Sequence, residues 1–398
     1  MYNILKRFYN FGSKYGAKFD WLLVLPYLSL CIIGIVMVYS ASAGIGLTHG
    51  GFANSYVFKQ FLFVIVGMTV AFFTFHLPLK KIDSMKSMGL FCLIMAVVLI
   101  YCGFFGATIN GASGWIRLGP ISIQPAELCK FFFIIFFAHM FKYRNNKINN
   151  AGLGKALLFR PQPLVFPLIM LGLILFQPDM GGFAINIFII LVMLIAASTS
   201  FKSLSISSFI IMFLPLIITK FFMGPIAALI SNTKSYQLQR LVSFENPFIH
   251  AKTSGAQLIN SFYAISNGGI FGRGLGNSIQ KMGYLAEPNT DFILPIISEE
   301  LGLIGVIIVL GLILTMIYRI VMIGFKTTNI YNSTICYGTA AYLTIQTLFN
   351  AGGSVGAVPL TGVALPFISY GGSSMITLSL CIGMVLKISK MEAKKVKK

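Results

Sequence analysis

The sequence predicts an all-α fold: a polytopic membrane helix bundle of about ten transmembrane helices, with a long extracytoplasmic loop before the eighth. Three observations carry that expectation. Hydrophobic residues make up 57% of the 398-residue chain and charged residues only 10%. Several apolar runs are long enough to cross a hydrocarbon layer of about 30 Å as helices. Most of the 30 cationic residues lie in alternate loops between those runs, and Lys- and Arg-rich short loops stay in the cytoplasm.

The apolar runs fall at 21–43, 57–77, 88–106, 123–140, 163–177, 181–198, 204–222, 292–318, 333–349 and 371–387. Pro and Gly interrupt several of them, which membrane helices tolerate where neighbours re-satisfy the backbone. Gln177-Pro178-Asp179 is either a turn between two spans or a kink within one. Lys6, Arg7, Lys14 and Lys18 precede the first run; Lys80, Lys81 and Lys86 follow the second; Lys142, Arg144, Lys147, Lys155 and Arg160 follow the fourth. Lys202, then Arg319 with Lys326, and the tail from Lys387 to Lys398 continue the alternation. Both termini are therefore expected in the cytoplasm. The chain reads as one integral membrane domain, 1–398, with a cytoplasmic tail at 1–20, an extracytoplasmic loop at 223–291 and a basic cytoplasmic tail at 388–398.

A net charge of +20 is compatible with nucleic acid only if the cations cluster. They are strung along alternate loops without any nucleic-acid motif, so no nucleic acid is expected. The terminal Lys394, Lys395, Lys397 and Lys398 suit contact with anionic membrane lipid or plain solvation. The six Cys lie in or beside apolar runs and read as small hydrophobes. The four His are scattered, so no structural metal is expected.

The ten acidic residues distribute against the bases. Asp20, Asp83 and Glu392 fall on the predicted cytoplasmic side; Glu127, Asp179, Glu245, Glu287, Asp291, Glu299 and Glu300 fall outward. Carboxylates at the edge of a span are costly and usually serve a site, so the outer face is where function is sought. There they are joined by Arg117, Lys130, Lys234, Arg240, Lys252, Arg273 and Lys281. The most informative run is Glu287-Pro288-Asn289-Thr290-Asp291 directly before the eighth span. Asp291 is the leading candidate for chemistry, with capping of that span as the structural alternative. Within the long loop, Leu258, Ile259, Phe262, Tyr263 and Ile265 predict an amphipathic helix at the membrane interface. The glycines of 267–278 form a loop that either makes turns or lets backbone approach a ligand.

Several motifs, in this order and separated by spans, carry a family resemblance. They are Val38-Tyr39-Ser40-Ala41-Ser42, Asn110-Gly111-Ala112 with Trp115-Ile116-Arg117-Leu118-Gly119, Gln124-Pro125-Ala126-Glu127-Leu128-Cys129-Lys130 and Gln177-Pro178-Asp179. Further along come Arg240-Leu241-Val242-Ser243-Phe244, Gly274-Leu275-Gly276-Asn277-Ser278, Thr290-Asp291-Phe292 with Glu299-Glu300-Leu301-Gly302, and Pro366-Phe367-Ile368-Ser369-Tyr370-Gly371-Gly372-Ser373-Ser374. Together they resemble the SEDS family of shape, elongation, division and sporulation proteins over most of the chain, and its division branch more than its elongation branch.

The resemblance implies a peptidoglycan glycosyltransferase that polymerises lipid II at the outer face of the plasma membrane, enriched at the septum. It implies a class B penicillin-binding transpeptidase and other divisome proteins as partners. It implies Asp291 as the catalytic base, with Asn289 standing where the family usually carries His. Arg117, Lys130, Glu127, Arg273, Glu299, Ser369 and Ser373 are the candidate substrate-binding residues. Lys130 and Glu127 share a helix face at i, i+3, which equally suits a structural ion pair. A divalent cation such as Mg²⁺ would suit the diphosphate leaving group, though no local motif demands one. Asp179 equally suits a helix cap, and one of the adjacent Glu299 and Glu300 is expected to be structural. Ala351-Gly352-Gly353 and Gly356-Ala357 suit either a partner's membrane helix or internal packing. Two other classes remain open on the residues alone: a transporter or lipid flippase, and a noncatalytic scaffold.

Overall fold

The computed structural model describes residues 19–44, 53–109, 112–119, 121–151, 162–196 and 236–395. In chain order the described elements are α1 Trp21–Ser42, α2 Ala53–His76, the short α3 Leu79–Ile82, α4 Met85–Phe105, β1 Ala107–Ile109, β2 Ala112–Leu118, β3 Ile121–Ile123 and α5 Pro125–Ala151. They continue with α6 Gln162–Phe176, α7 Met180–Ala196, α8 Tyr236–Glu245, α9 Ala256–Gly268, α10 Ile293–Lys326, α11 Ile330–Ser354 and α12 Gly372–Lys395. Helices occupy nine of the ten predicted apolar runs; the run at 204–222 lies outside the described residues. Among the described residues five helices, α1, α2, α4, α10 and α12, are long and apolar enough to cross a membrane. This is a multi-pass helical membrane protein.

One correction concerns the all-α expectation. The segment between α4 and α5 is a small antiparallel sheet of order β1-β2-β3, with Ala107 opposite Trp115 and Ile116 opposite Ile123. The sheet delivers the chain directly into the first turn of α5.

Packing separates central from peripheral helices. Every residue of α5 from Cys129 to Phe141 is buried, as expected of a helix apolar on all faces. By contrast α4 leaves Leu90, Leu93, Val97, Ile100 and Phe104 exposed, a surface suited to lipid. α12 packs closely on α2: a Cβ on Gly383 would lie 1.9 Å from Thr74 Oγ1 and 2.5 Å from the Ala71 carbonyl. Asp20 accepts from the Arg319 guanidinium at 2.9 Å and from the Ser389 hydroxyl at 2.7 Å, tying the start of α1 to α10 and α12. Asp83 likewise ties the α3–α4 connection to His139 and Lys142 of α5.

The loop after α9 is organised around a break in α10. Gly302 there has φ 69°, left-handed backbone that glycine adopts without steric cost. The groups the break frees are taken up by the loop after α9. Arg273 and Gly274 N–H donate to the carbonyls of Glu299 and Glu300 at 2.9 and 3.0 Å; Leu303 and Ile304 N–H donate to Gly269 and Ile270 carbonyls at 3.0 and 3.3 Å. The glycine-rich loop thus approaches a helix backbone closely. The amphipathic helix predicted at 258–265 is α9, and its buried face, Leu258, Ile259, Ser261 and Ala264, packs on α10 and α11.

Candidate active site

Asp291 sits on a turn, partly exposed, just before α10. Glu287 shapes that turn by accepting Thr290 and Phe292 N–H at its carbonyl, 3.4 and 3.2 Å, and the Thr290 hydroxyl at its carboxylate, 3.1 Å. The fully buried Phe292 anchors it. The N-cap position of α10 is Phe292, which makes no side-chain cap of its own. The surrounding chain grips the backbone of the turn. The carbonyl of Asn289 accepts Tyr370 N–H at 2.9 Å, that of Thr290 accepts the Ser369 hydroxyl at 2.6 Å, and that of Asp291 accepts Asn350 Nδ2 at 2.9 Å. The Asn289 side chain donates to Ser42 Oγ at 3.1 Å, at the outer end of α1.

The same end of α1 meets a second, wholly buried group. Lys281 Nζ spends its three donors on Glu300 Oε1 at 2.7 Å, Gly276 carbonyl at 2.7 Å and Ser40 Oγ at 2.9 Å. Ser40 in turn donates to the Glu300 carboxylate at 2.7 Å. Glu299 is 0% exposed; it accepts from Ser278 Oγ, from Gln280 N–H at 3.2 Å and from Asn267 Nδ2 at 3.3 Å. The expectation that one of this pair is structural is too modest: both are committed inside the chain, made possible by the α10 break and the loop docked on it. Glu299 therefore leaves the set of residues open to a substrate.

A third group lies deeper. Lys130, 0% exposed, pairs with Glu127 at 2.5 Å and lies 5.2 Å from the centre of the Tyr342 ring. The Tyr342 hydroxyl donates to the other Glu127 oxygen at 3.3 Å. Nearby, Asp179 accepts Gly182 N–H at 2.8 Å and Gln124 Nε2 at 2.9 Å, so it does cap α7. Burial pushes its carboxyl up, against the Gly182 N–H and the Lys130 charge, which both pull it down. Along α11, Tyr342, Gln346 and Asn350 fall at i, i+4 and i+8 on one face. They run about 12 Å from the Glu127–Lys130 pair, past Ser374 and the Ala364 carbonyl, which Gln346 holds at 2.9 and 2.8 Å, to the Asp291 turn.

The remaining candidates separate. Arg117 on β2 and Arg273 on the loop after α9 are both exposed. Ser369 and Ser373 are buried, and their hydroxyls go to the backbone: Ser369 to Thr290 and Leu365, Ser373 to Gln124 N–H at 2.8 Å. They hold loops together rather than present a hydroxyl to a substrate. Gly352 and Gly353 face Val358 and Leu360 of the chain's own following loop, which favours internal packing over a partner surface. A resident divalent cation does not fit these donors. The Glu127 carboxylate is shared by Lys130 and Tyr342, and among the described residues no three His, Cys, Asp or Glu gather.

Sequence reasoning missed Asn350, Gln346, Gln124 and Tyr342. Amide and hydroxyl side chains at every fourth position, Gln346 to Asn350 to Ser354, on one face of α11 were the available signal.

Residues 20–394 match the family model FtsW/RodA/SpoVE, described as "Cell cycle protein". Among curated relatives, a probable peptidoglycan glycosyltransferase FtsW from Bacillus subtilis is 36% identical, covering 95% of this chain and 92% of its own. The one from Enterococcus hirae is 34% identical, covering 95% and 94%. Stage V sporulation protein E of Bacillus subtilis is 34% identical, covering 93% and 97%. Among solved structures, a chain of a peptidoglycan synthase complex coordinating polymerization and crosslinking superposes with TM-score 0.69 at 24% identity, covering 93% of this chain and 97% of its own. Rod shape determining protein RodA of Thermus thermophilus does so with TM-score 0.61 at 24% identity, covering 93% and 96%. Both share the fold described above.

Proposed function

Since the chain belongs to the FtsW/RodA/SpoVE family of cell cycle proteins, we propose that it is a peptidoglycan glycosyltransferase of the FtsW branch, polymerising lipid II at the outer face of the plasma membrane. An acceptor sugar hydroxyl attacks the anomeric carbon of the donor; a new C–O bond forms as the bond to the polyprenyl diphosphate breaks, with inversion at that carbon. Asp291 takes the hydroxyl proton as general base. Arg117 and Arg273, both exposed on the same predicted side, offer cations to the diphosphate as it gathers charge. The buried Lys130, paired with Glu127, contributes positive potential from below.

The observation that carries this reading is the state of the outward acids. Glu299 and Glu300 are buried and commit their carboxylates to partners inside the chain, whereas Asp291 is partly exposed on a turn whose backbone carbonyls are held. The charge pattern supports an orientation with both termini in the cytoplasm and the 223–291 segment outside. A class B penicillin-binding transpeptidase fits as partner, because the solved relative of the same fold belongs to a complex that couples polymerization to crosslinking. Septal enrichment follows from the division-branch likeness.

General-base assistance contributes typically about 10²–10⁴-fold. Asp291→Asn is therefore expected to fold, insert and lose lipid II polymerisation by at least about 100-fold; normal glycan from that variant removes the base. Liposomes separate the flippase reading: movement of lipid II between leaflets without glycan would favour transport. A scaffold would retain full function with Asp291→Asn.

A further inference from the structure

We propose that Asn350 and Ser369 are positioning residues for the reaction, together fixing the direction in which the Asp291 side chain leaves the backbone. The inference rests on the reading of Asp291 as the base. Two rigid peptide planes meet at the Asp291 Cα; the first carries the Thr290 carbonyl, the second the Asp291 carbonyl. Ser369 Oγ holds the first at 2.6 Å and Asn350 Nδ2 holds the second at 2.9 Å. With both planes held, φ and ψ at Asp291 are held, and so is its Cα–Cβ bond.

Each grip is itself braced. The other N–H of Asn350 donates to the Val363 carbonyl at 2.8 Å, and Ser369 Oγ accepts Leu365 N–H at 2.7 Å. Both partners of Asn350 Nδ2 are carbonyl oxygens, so the amide has one orientation, and its Oδ1 is a buried acceptor without a partner. A carboxamide 3% exposed that leaves its acceptor unmatched keeps its place for the sake of its donors, since an unsatisfied buried acceptor is costly. The loop from 355 to 371 and the Asp291 turn, far apart in sequence, thereby become one rigid unit.

The consequence is kinetic. A displacement of the order of 1 Å at a reacting group costs about 100-fold, and it falls on kcat when the interaction matters only in the transition state. The full-length wild type and the variants Asn350→Ala, Ser369→Ala, Ser354→Ala and Asp291→Asn are purified with the cognate transpeptidase, and kcat and KM are measured on lipid II. Asn350→Ala and Ser369→Ala are each expected to lose roughly 10- to 100-fold in kcat, with KM within about twofold. Ser354→Ala removes a buried hydroxyl one turn further along α11, where it bonds only to Asn350 carbonyl, and should stay within about twofold of wild type in kcat. If Asn350→Ala and Ser369→Ala both keep wild-type kcat while Asp291→Asn is inactive, the clamp is irrelevant and the inference fails alone. A rise in KM with kcat unchanged, or an equal fall in Ser354→Ala, overturns it in favour of binding or of general loosening. Normal glycan from Asp291→Asn overturns the base and this inference together.

Discussion

Glu300, in the first turns of α10, and Asp291, on the turn just before it, lie nine positions apart, yet the chain treats them in opposite ways. Around Glu300 the side chain is the object: Lys281 and Ser40 saturate its carboxylate, and 1% or less of either charged side chain is exposed. Around Asp291 the main chain is the object: three successive carbonyls from 289 to 291 are held and the residue stays partly exposed. A buried carboxylate has to be neutralised where it lies, whereas a reacting one has to be aimed. The contrast separates an acid held by its side chain from one whose turn is held by its main chain, as the proposed base requires.

The comparison is broken most severely from the Glu300 side. Removing Lys281 leaves a buried carboxylate without its cation, so Lys281→Met should lower stability by about 3–5 kcal/mol, read as a fall in the melting temperature of the detergent-purified protein. Replacing both charges, Lys281→Met with Glu300→Leu, should recover most of that loss, because an apolar pair of similar volume is often neutral relative to a buried ion pair. A double variant no more stable than the single one would mean that the pair does more than neutralise itself.

Next in size is the helix break at Gly302, two positions past Glu300. A Cβ at Gly302 would lie 2.3 Å from the Ile270 carbonyl, on backbone at φ 69°. Gly302→Ala should cost about 1–3 kcal/mol and raise hydrogen exchange at the amides of Arg273 and Gly274, which pair across the break. Unchanged protection at those amides would show that the loop holds without it. The smallest effect is expected at Asp179. As an N-cap its loss in Asp179→Ala should cost about 1 kcal/mol, and Asp179→Asn, which still accepts the Gly182 N–H, much less. Equal losses in the two would assign the residue's importance to its charge instead.

Much of this was legible because the relevant signals are local. The apolar runs, the alternation of Lys and Arg, the turn ahead of the eighth span and the cap at Asp179 each depend on residues within a few positions of one another. In a chain with ten acids, Asp291 stands out by position alone. Ser369 and Ser373 were read as substrate ligands because an exposed and a buried hydroxyl look the same in a sequence. Glu299 was misjudged for the same reason: its partners Ser278 and Gln280 reach it only through the loop that plugs α10.

The sequence by itself determined the solvent, the helical class and the family, since composition and short-range pattern encode them. Only the tertiary structure decided which carboxylates are saturated and which main-chain carbonyls are gripped. Contacts such as Ser40 with Glu300, 260 positions apart, Ser369 with Thr290 and Asn350 with Asp291 arise when distant helices pack. Hydrogen bonds act over about 3 Å, and no short-range pattern specifies which groups packing brings that close.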